Sequence, residues 1–218
     1  MTPQQAFDHL EQAVIMAGMR GHFPPSVALN LAEVFLDEGI STFEFTMNSE
    51  QPIEAMVAVK KQYGDRVMAG MGTVLDVETA RRVIDAGADF IVSPAFQPEV
   101  VEFVMKHDVF MVPGVITPSE CVNAWGMGVK LLKLFPIGAL GLDYFKAIYG
   151  PLSHMKFMMN GAMNAENGAQ FLQAGAMALG MAGWLTGDGT WTESRLRSRA
   201  HLIMNAVQAA RGGLVQQA

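Results

Sequence analysis

The chain of 218 residues alternates short apolar runs with longer segments of helical periodicity, and the alternation occurs eight times. Gly, Pro, Asn or Asp residues flank the apolar runs, which is typical of strands. The runs are apolar on both faces, which is typical of a parallel sheet covered by helices. These predicted strands cover residues 13–19, 42–48, 66–74, 89–95, 109–115, 130–136, 156–162 and 176–184.

Helical patterns follow the runs, and some carry recognisable ends. Gly39 and Gly87 sit where a C-terminal glycine is expected, and Asp76 sits at an N-cap position. The predicted helices cover residues 26–39, 52–64, 76–87, 98–108, 117–128, 141–150, 165–175 and 193–212.

Eight strand–helix units predict an α/β protein, a (β/α)8 TIM barrel that occupies residues 1–218 as a single domain. Residues 1–12 are predicted to form an extra helix that caps the barrel bottom. A doubly wound open sheet is the alternative. The stretch AGMRGHF after the first run lacks the full Gly-rich nucleotide turn of that fold, so we favour the barrel.

Charge and composition narrow the classes of partner. The net charge is -6 at pH 7 and no basic patch stands out, so we expect no nucleic-acid partner. No run approaches the roughly 20 apolar residues that span a bilayer, and the N-terminus does not resemble a targeting signal, so we expect no membrane partner. Cys121 is the only cysteine, which excludes an internal disulfide and fits a reducing cytoplasm.

The histidines do not suggest a metal site. They are scattered along the chain without ligand spacing to a carboxylate or to another histidine, so the sequence predicts no bound metal. The five are His9, His22, His107, His154 and His201.

Two charged residues interrupt strands that otherwise read as buried. In TFEFTMN, alternation sends Glu44 into the barrel, with the phenylalanines facing the helices. In KLLKLFP, Lys133 is in phase with Leu131 and Phe135. A buried lysine loses its proton readily and then attacks carbonyl carbons, which favours a Schiff-base nucleophile with Glu44 as general acid/base. A structural ion pair between the two is the alternative.

Arg20 and Thr73 are further candidates at strand ends. Arg20 directly follows the first strand, where a guanidinium binds a substrate carboxylate bidentately or simply faces solvent. Thr73 follows Gly72 and either donates a hydrogen bond to a small anion or caps the next turn.

Several motifs resemble one family over about residues 13–210. They are FEFTMNS around Glu44, MGTV around Thr73, IVSPAF around Pro94, VPGVITPSE, and KLLKLFP followed by GPL. Together they resemble the class I 2-keto-3-deoxy-6-phosphogluconate (KDPG) aldolases, a family that includes the 6-phosphogalactonate (KDPGal) and 4-hydroxy-2-oxoglutarate (KHG) aldolases. The GMRG and TMNS segments resemble the phosphogalactonate branch.

The resemblance implies a homotrimer of (β/α)8 barrels acting on a small 2-oxo acid, without cofactor or metal. Lys133 would form the Schiff base and Glu44 would shuttle protons. Arg20 and Thr73 would hold the carboxylate, and Phe135 and Pro94 would line the pocket. Pyruvate and an aldehyde, such as glyceraldehyde 3-phosphate, would be the products.

The chain departs from the family pattern at three places. Asn48 stands where many relatives carry an arginine. The usual Gly-Gly and Gly-Ser pairs of the phosphate site read Gly161-Ala162 and Ala182-Gly183 here. The serine hydroxyl is missing and two β-carbons are added where the backbone approaches an oxyanion.

Several functions therefore stay open. The substrate is a phosphorylated keto-deoxy acid held by the remaining backbone donors, or a non-phosphorylated acid with Asn160 and Trp184 shaping the distal pocket. A barrel that binds a 2-oxo acid without turning it over is a further alternative. A metal-dependent epimerase is a third, disfavoured by the scattered histidines.

Overall fold

The structure, a computed structural model that describes residues 1–215, is a parallel barrel surrounded by helices. The predicted domain ran to residue 218, and residues 216–218 lie outside the described residues. The strands are β1 Ile15–Met19, β2 Thr42–Thr46, β3 Met68–Gly72, β4 Phe90–Val92, β5 Phe110–Val112, β6 Gly114–Val115, β7 Leu132–Leu134, β8 Phe157–Asn160 and β9 Ala178–Met181.

The strands close a ring with eight positions. Their order is β5-β4-β3-β2-β1-β9-β8-β7-β6 and every neighbouring pair is parallel. β5 and β6 are two halves of one barrel strand, separated by Pro113. The carbonyl of Pro113 still accepts a hydrogen bond from the backbone N–H of Lys133 at 2.9 Å, so the ring continues through the proline. The predicted TIM barrel is confirmed.

The helices lie outside the ring or cover its ends. Asp76 caps α4 as predicted, because its side chain accepts a hydrogen bond from the N–H of Thr79 at 2.7 Å. The helices are α1 Pro3–Ala13, α2 Pro25–Asp37, α3 Pro52–Tyr63, α4 Val77–Asp85, α5 Pro98–Lys106, α6 Pro118–Gly126, α7 Ile137–Tyr149, α8 Ala165–Gln173, α9 Gly183–Thr186 and α10 Glu193–Val215. A 3-10 turn covers Gly64–Arg66.

Three elements differ most from the prediction, and the first is strand 109–115, which divides into β5 and β6 at Pro113. The last predicted strand, 176–184, ends at Met181, and its final residues turn into the short helix α9. Helix α7 begins at Ile137 instead of residue 141, and its backbone breaks at Gly141, where φ is +83°. Glycine tolerates this left-handed conformation, so the chain changes direction there before the regular part of the helix.

The core has two separate apolar clusters, inside and outside the ring. Inside, strand residues such as Met16, Phe90 and Met158, and Leu131 just before β7, pack with Leu10 of α1. The predicted cap of the barrel bottom is therefore confirmed. Outside, the alternate strand residues pack against the helices. Leu131 faces inward, so Lys133, two residues later, faces inward as well.

None of the helices within residues 1–215 has the length and apolar character needed to cross a membrane.

Candidate active site

Lys133 lies at the bottom of a cavity at the C-terminal mouth of the barrel. The cavity holds about 390 Å³. It extends from β7 across the ends of β8, β9 and β1, which is the face where barrel enzymes carry their chemistry. Its lining includes eight of the predicted site residues, namely Arg20, Lys133, Phe135, Asn160, Gly161, Ala162, Ala182 and Gly183.

Lys133 is only 2% exposed, and its Nζ lies 5.1 Å from the centroid of the Phe135 ring. Burial lowers the pKa of this lysine, because water no longer stabilises the ammonium. The nearby charge of Arg20 lowers the pKa further, and Glu44 opposes both effects. The surroundings therefore shift Lys133 toward the neutral amine, which is the nucleophilic form.

Glu44 lies on β2, inside the ring and 4% exposed. Its Oε1 has no hydrogen-bond partner among the described residues. A buried carboxylate oxygen without a partner is costly, and it is suited to accept a proton or a hydrogen bond from a ligand or a water. Glu44 is thus a candidate general acid/base of the site.

Glycines on neighbouring strands make room for Glu44. A β-carbon at Gly72 would lie 2.0 Å from Glu44 Oε1. A β-carbon at Gly18 would lie 3.3 Å from Oε2 and 3.3 Å from the Cβ of Ala182. The carboxylate therefore sits beside the cavity wall that Ala182 forms.

Asn160 ends β8 and faces the interior, in phase with Met158 of the inner cluster. It is 6% exposed, and its Oδ1 has no hydrogen-bond partner among the described residues. A β-carbon at Gly180 on β9 would lie 2.1 Å from its Nδ2. Gly180 is thus what allows an amide side chain to occupy this place.

Arg20 is exposed in the turn after β1, and hydroxyl groups hold that turn against the next one. Ser49 accepts a hydrogen bond from the N–H of Gly21 at 3.0 Å and donates one to the carbonyl of Met19 at 3.2 Å. The hydroxyl of Thr46 lies 2.8 Å from that of Ser49. These hydroxyls hold the backbone on both sides of Arg20, which contributes to the cavity lining.

Besides Glu44, which lies beside the cavity without lining it, the predicted site residues outside the lining are Thr73, Pro94 and Asn48. Thr73 follows β3 with φ at +59° and is half-buried, close in the chain to the Gly72 that accommodates Glu44. Pro94 packs closely on Gly114, where a β-carbon would lie 2.3 Å from the proline's carbonyl carbon. Asn48 lies in the exposed turn after β2. The three thus lie at the mouth on the opposite side, at the ends of β2, β3 and β4.

The residues that depart from the family's phosphate-site pattern lie at the distal end of the cavity. Ala162 has φ at +53°, a left-handed conformation that favours glycine. Gly183 begins α9, and nothing lies within 4 Å of the place its β-carbon would occupy. Trp184 lines this end, and the guanidinium of Arg199 lies 4.6 Å from the centroid of its ring.

The sequence did not single out the residues that hold this geometry in place. Thr186 of α9 is 1% exposed, and its hydroxyl donates a hydrogen bond to the carbonyl of Gly18 at 2.7 Å. Gly18, Gly72 and Gly180 each leave space for a functional side chain or its neighbour. The alternation of the strands could have identified these glycines, because all three lie at inward-facing positions.

A second cavity of about 460 Å³ lies outside the ring, between α2 and α10, with Phe23, Leu31 and Trp191 in its wall. Its lining contains no lysine, so the mouth cavity is the candidate site for Schiff-base chemistry. Within residues 1–215, no group of three or more His, Cys, Asp and Glu side chains is placed to hold a metal ion.

Comparison with known sequences assigns the chain to a family. A family model described as "Aldolase: KDPG and KHG aldolase" matches residues 9–197. The 2-dehydro-3-deoxy-phosphogluconate aldolase of Treponema pallidum is 34% identical over 146 residues, which cover 66% of this chain and 69% of that protein. The 2-dehydro-3-deoxy-6-phosphogalactonate aldolase of Escherichia coli is 30% identical over 190 residues, which cover 87% of this chain and 92% of that protein.

A solved structure links the fold to covalent chemistry. The KDPG aldolase of Legionella pneumophila, with pyruvate captured as a covalent carbinolamine intermediate, superimposes with a TM-score of 0.77 at 27% identity, covering 96% of this chain and 98% of that one. A carbinolamine is the adduct that precedes a Schiff base, as in class I aldolases. The chain therefore belongs to the KDPG and KHG aldolase family of class I aldolases.

Proposed function

We propose that this aldolase cleaves a 2-keto-3-deoxy sugar acid to pyruvate and an aldehyde, with Lys133 as the Schiff-base lysine. The main support for this proposal is the buried amine of Lys133. It lies at the bottom of an open cavity, and its surroundings disfavour its charged form. The unpaired carboxylate oxygen of Glu44, on the inner face of the same barrel, supports the assignment of a proton acceptor.

The chemistry follows from these groups. The neutral amine of Lys133 attacks the C2 ketone, and the resulting carbinolamine takes up a proton and loses water to give a protonated imine. The imine accepts the electron pair of the C3–C4 bond as that bond breaks, while Glu44 takes the C4 hydroxyl proton directly or through a water. The aldehyde leaves, C3 of the resulting enamine is reprotonated, and hydrolysis of the imine releases pyruvate and restores the amine.

The other residues in this proposal bind the substrate. Arg20 and Thr73 hold the carboxylate, and Phe135 and Pro94 line the pocket around the reacting carbons. Asn48 stands at the position of a family arginine, so Arg20 carries more of the carboxylate binding. The residues Asn160, Gly161, Ala162, Ala182 and Gly183 surround the part of the substrate beyond the scissile bond.

Borohydride reduction in the presence of pyruvate tests the central step. We expect a covalent pyruvyl adduct on Lys133, mapped by peptide mass spectrometry, together with retro-aldol release of pyruvate from a sugar acid. Absence of the adduct would overturn the assignment. An adduct without carbon–carbon cleavage of any acid in the panel would indicate a barrel that binds 2-oxo acids without turning them over.

Two substrate forms remain in the proposal, and the first is the 6-phosphate. The relatives from Treponema pallidum and Escherichia coli are named for phosphorylated sugar acids, and the backbone donors around Gly161 and Gly183 remain. The products would be pyruvate and glyceraldehyde 3-phosphate.

The second form is a non-phosphorylated acid, and the added Cβ atoms of Ala162 and Ala182 with the missing hydroxyl at Gly183 favour it. Turnover of both C4 epimers, each with and without phosphate, separates the two forms. A preference of about a hundredfold for the phosphorylated acid, equivalent to roughly 2.7 kcal/mol, would exclude the second form.

We also propose that the chain assembles as a cytoplasmic homotrimer. Exposed apolar side chains at Leu75, Val122 and Leu140 offer surface for contact between subunits. The free, buried thiol of Cys121 fits a reducing compartment. Sedimentation at equilibrium tests the trimer, and a single species of 23.6 kDa at micromolar concentration would contradict it.

A further inference from the structure

One hydroxyl group, that of Ser49, contacts the backbone on both sides of Arg20. It accepts a hydrogen bond from the N–H of Gly21 at 3.0 Å and donates one to the carbonyl of Met19 at 3.2 Å. That N–H belongs to the peptide group after Arg20, and that carbonyl belongs to the peptide group before it. Because each peptide group is planar, a single side chain thus restrains both φ and ψ of Arg20.

Neighbouring groups complete this arrangement. The hydroxyl of Thr46 lies 2.8 Å from Ser49 Oγ. A hydroxyl has one donor and two acceptor sites, and all three on Ser49 are occupied when the proton of Thr46 points to it. The N–H of Glu50 donates a hydrogen bond to the carbonyl of Gly21 at 3.0 Å, so the turns after β1 and β2 are joined again just beyond Arg20.

The guanidinium of Arg20 is available to a ligand. It forms no ion pair with a carboxylate of residues 1–215. It lines the same cavity as Lys133, and its charge helps to lower the pKa of that lysine. The planar fork of a guanidinium matches a carboxylate through two parallel hydrogen bonds, which suits the acid group of a molecule that bonds to the lysine.

A bidentate pair of this kind depends on direction. Hydrogen bonds weaken steeply when they are misaligned, and a long arginine side chain loses rotamer freedom when it binds. The backbone of Arg20 sets the direction of its Cα–Cβ bond. A backbone that is already fixed therefore reduces the cost of ordering the guanidinium when the ligand arrives.

We propose that Ser49 is a positioning residue, whose hydroxyl holds the Arg20 turn so that the guanidinium meets the carboxylate of a 2-oxo acid bonded to Lys133. This inference rests on the proposed function and deepens it, because it assigns recognition of the carboxylate to two joined turns instead of to one side chain. Ser49 itself touches no substrate. Its effect is to make the lysine select 2-oxo acids over ketones that lack a carboxylate.

The test compares pyruvate with acetone, a ketone in which a methyl group replaces the carboxylate. Borohydride traps the imine of each ketone on Lys133, and mass spectrometry of the protein gives the two trapping rates. Ser49→Ala should lower the ratio of pyruvate to acetone trapping by about 10-fold, since a charged hydrogen bond contributes about 10- to 100-fold when it is well aligned. A change in the amine itself affects both ketones and cancels in the ratio.

A second substitution shows whether the hydroxyl acts through the guanidinium. Arg20→Met alone should lower the trapping ratio by about 10- to 100-fold. Ser49→Ala added to Arg20→Met should change the ratio by less than about twofold, because no guanidinium remains to be held. A residue that acted on the cavity by another route would lower the ratio by the same factor in both backgrounds.

Three further variants make the result specific. Ser49→Thr keeps the hydroxyl and should retain the wild-type ratio. Ser41→Ala removes a half-buried hydroxyl at the opposite end of β2, where it contacts His9, and should also retain the ratio. Thr46→Val removes the hydroxyl that supports Ser49 and should lower the ratio. Thermal melts establish that each variant folds, and Thr46→Val serves if Ser49→Ala does not.

Several outcomes would overturn the proposal. They are an unchanged ratio in Ser49→Ala or in Arg20→Met, the same factor of loss for Ser49→Ala in both backgrounds, and a loss in Ser49→Thr as large as in Ser49→Ala. Absence of a pyruvate adduct on Lys133 in the wild type would refute the proposed function itself. A normal adduct with an unchanged ratio in Ser49→Ala would refute only the role of Ser49.

Discussion

Gly72 on β3 leaves the space that the carboxylate of Glu44 on β2 occupies. A β-carbon at position 72 would lie 2.0 Å from Oε1 and 2.6 Å from Cδ of the glutamate. Such distances are far shorter than a van der Waals contact, so the two residues depend on each other. The glycine therefore determines where the carboxylate of Glu44 lies inside the ring.

Gly72→Ala should therefore reduce activity more than stability. The added methyl displaces the carboxylate, and a displacement of about 1 Å in a catalytic group lowers kcat by roughly 10²-fold. The comparison is with Gly126→Ala in α6, where nothing lies within 4 Å of the added carbon. Steady-state kinetics and thermal melts check both variants, and full activity in Gly72→Ala would contradict the role we assign to the contact.

Burial of Lys133 predicts a pH-dependent stability. Since its folded-state pKa is lowered, the unfolded chain binds the proton more tightly, and the cost of burying the ammonium is fully present below the folded pKa. That cost disappears as the pH rises from the folded pKa to the unfolded value of about 10.4. The unfolding free energy of the wild type should thus rise relative to Lys133→Met between these pH values.

Urea unfolding between pH 7 and pH 10 measures this difference. Lys130→Met is the matched control, because Lys130 lies exposed just before β7. The same measurement on this variant gives the pH dependence that a lysine-to-methionine change outside the cavity brings by itself. The same pH dependence for Lys133→Met would mean that the folded protein leaves the lysine with its ordinary pKa.

Glu44→Gln should separate bond cleavage from Schiff-base formation. The amide cannot accept the C4 proton, so kcat for cleavage should fall by about 10²- to 10⁴-fold. Adduct formation with pyruvate and borohydride should persist, since Lys133 remains in place. Glu54→Gln, an exposed change in the first turn of α3, should leave both readouts unchanged. Wild-type cleavage by Glu44→Gln would remove Glu44 from the mechanism.

Gly183→Ser should shift selectivity toward phosphorylated substrates. The position is open, so the serine fits without displacing its neighbours. A new hydroxyl bond to a charged phosphate contributes about 1.5–3 kcal/mol, or roughly 10- to 100-fold in relative kcat/KM. Gly183→Ala adds the carbon without the hydroxyl and should show no such shift. Equal selectivity in the two variants would show that the phosphate does not reach this end of the cavity.

The inward direction of Glu44 and Lys133 could be predicted because a strand alternates its faces with a period of two, which is a property of the local sequence. The clearance that Gly72 and Gly180 provide could not, because it depends on the register between strands that are distant in the chain. The roles assigned to the site residues stay predictions until the variants are measured.

The helix α9 also escaped prediction. Its four residues, Gly183–Thr186, continue an apolar run that reads locally as strand. The contact that fixes them, from the hydroxyl of Thr186 to the carbonyl of Gly18, joins opposite ends of the sequence. A pattern read within one short window carries no information about such a partner.

Helix α1 closes one end of the ring, with Ala6 and Leu10 packed among the innermost strand side chains. The cavity that contains Lys133 is consequently closed at its base, and substrate and products must enter and leave through the same opening. In the proposed mechanism, pyruvate bonded to Lys133 would lie beneath the aldehyde. The aldehyde must therefore depart first, and a second aldehyde that enters early would trap the pyruvate and return the reaction toward its starting acid.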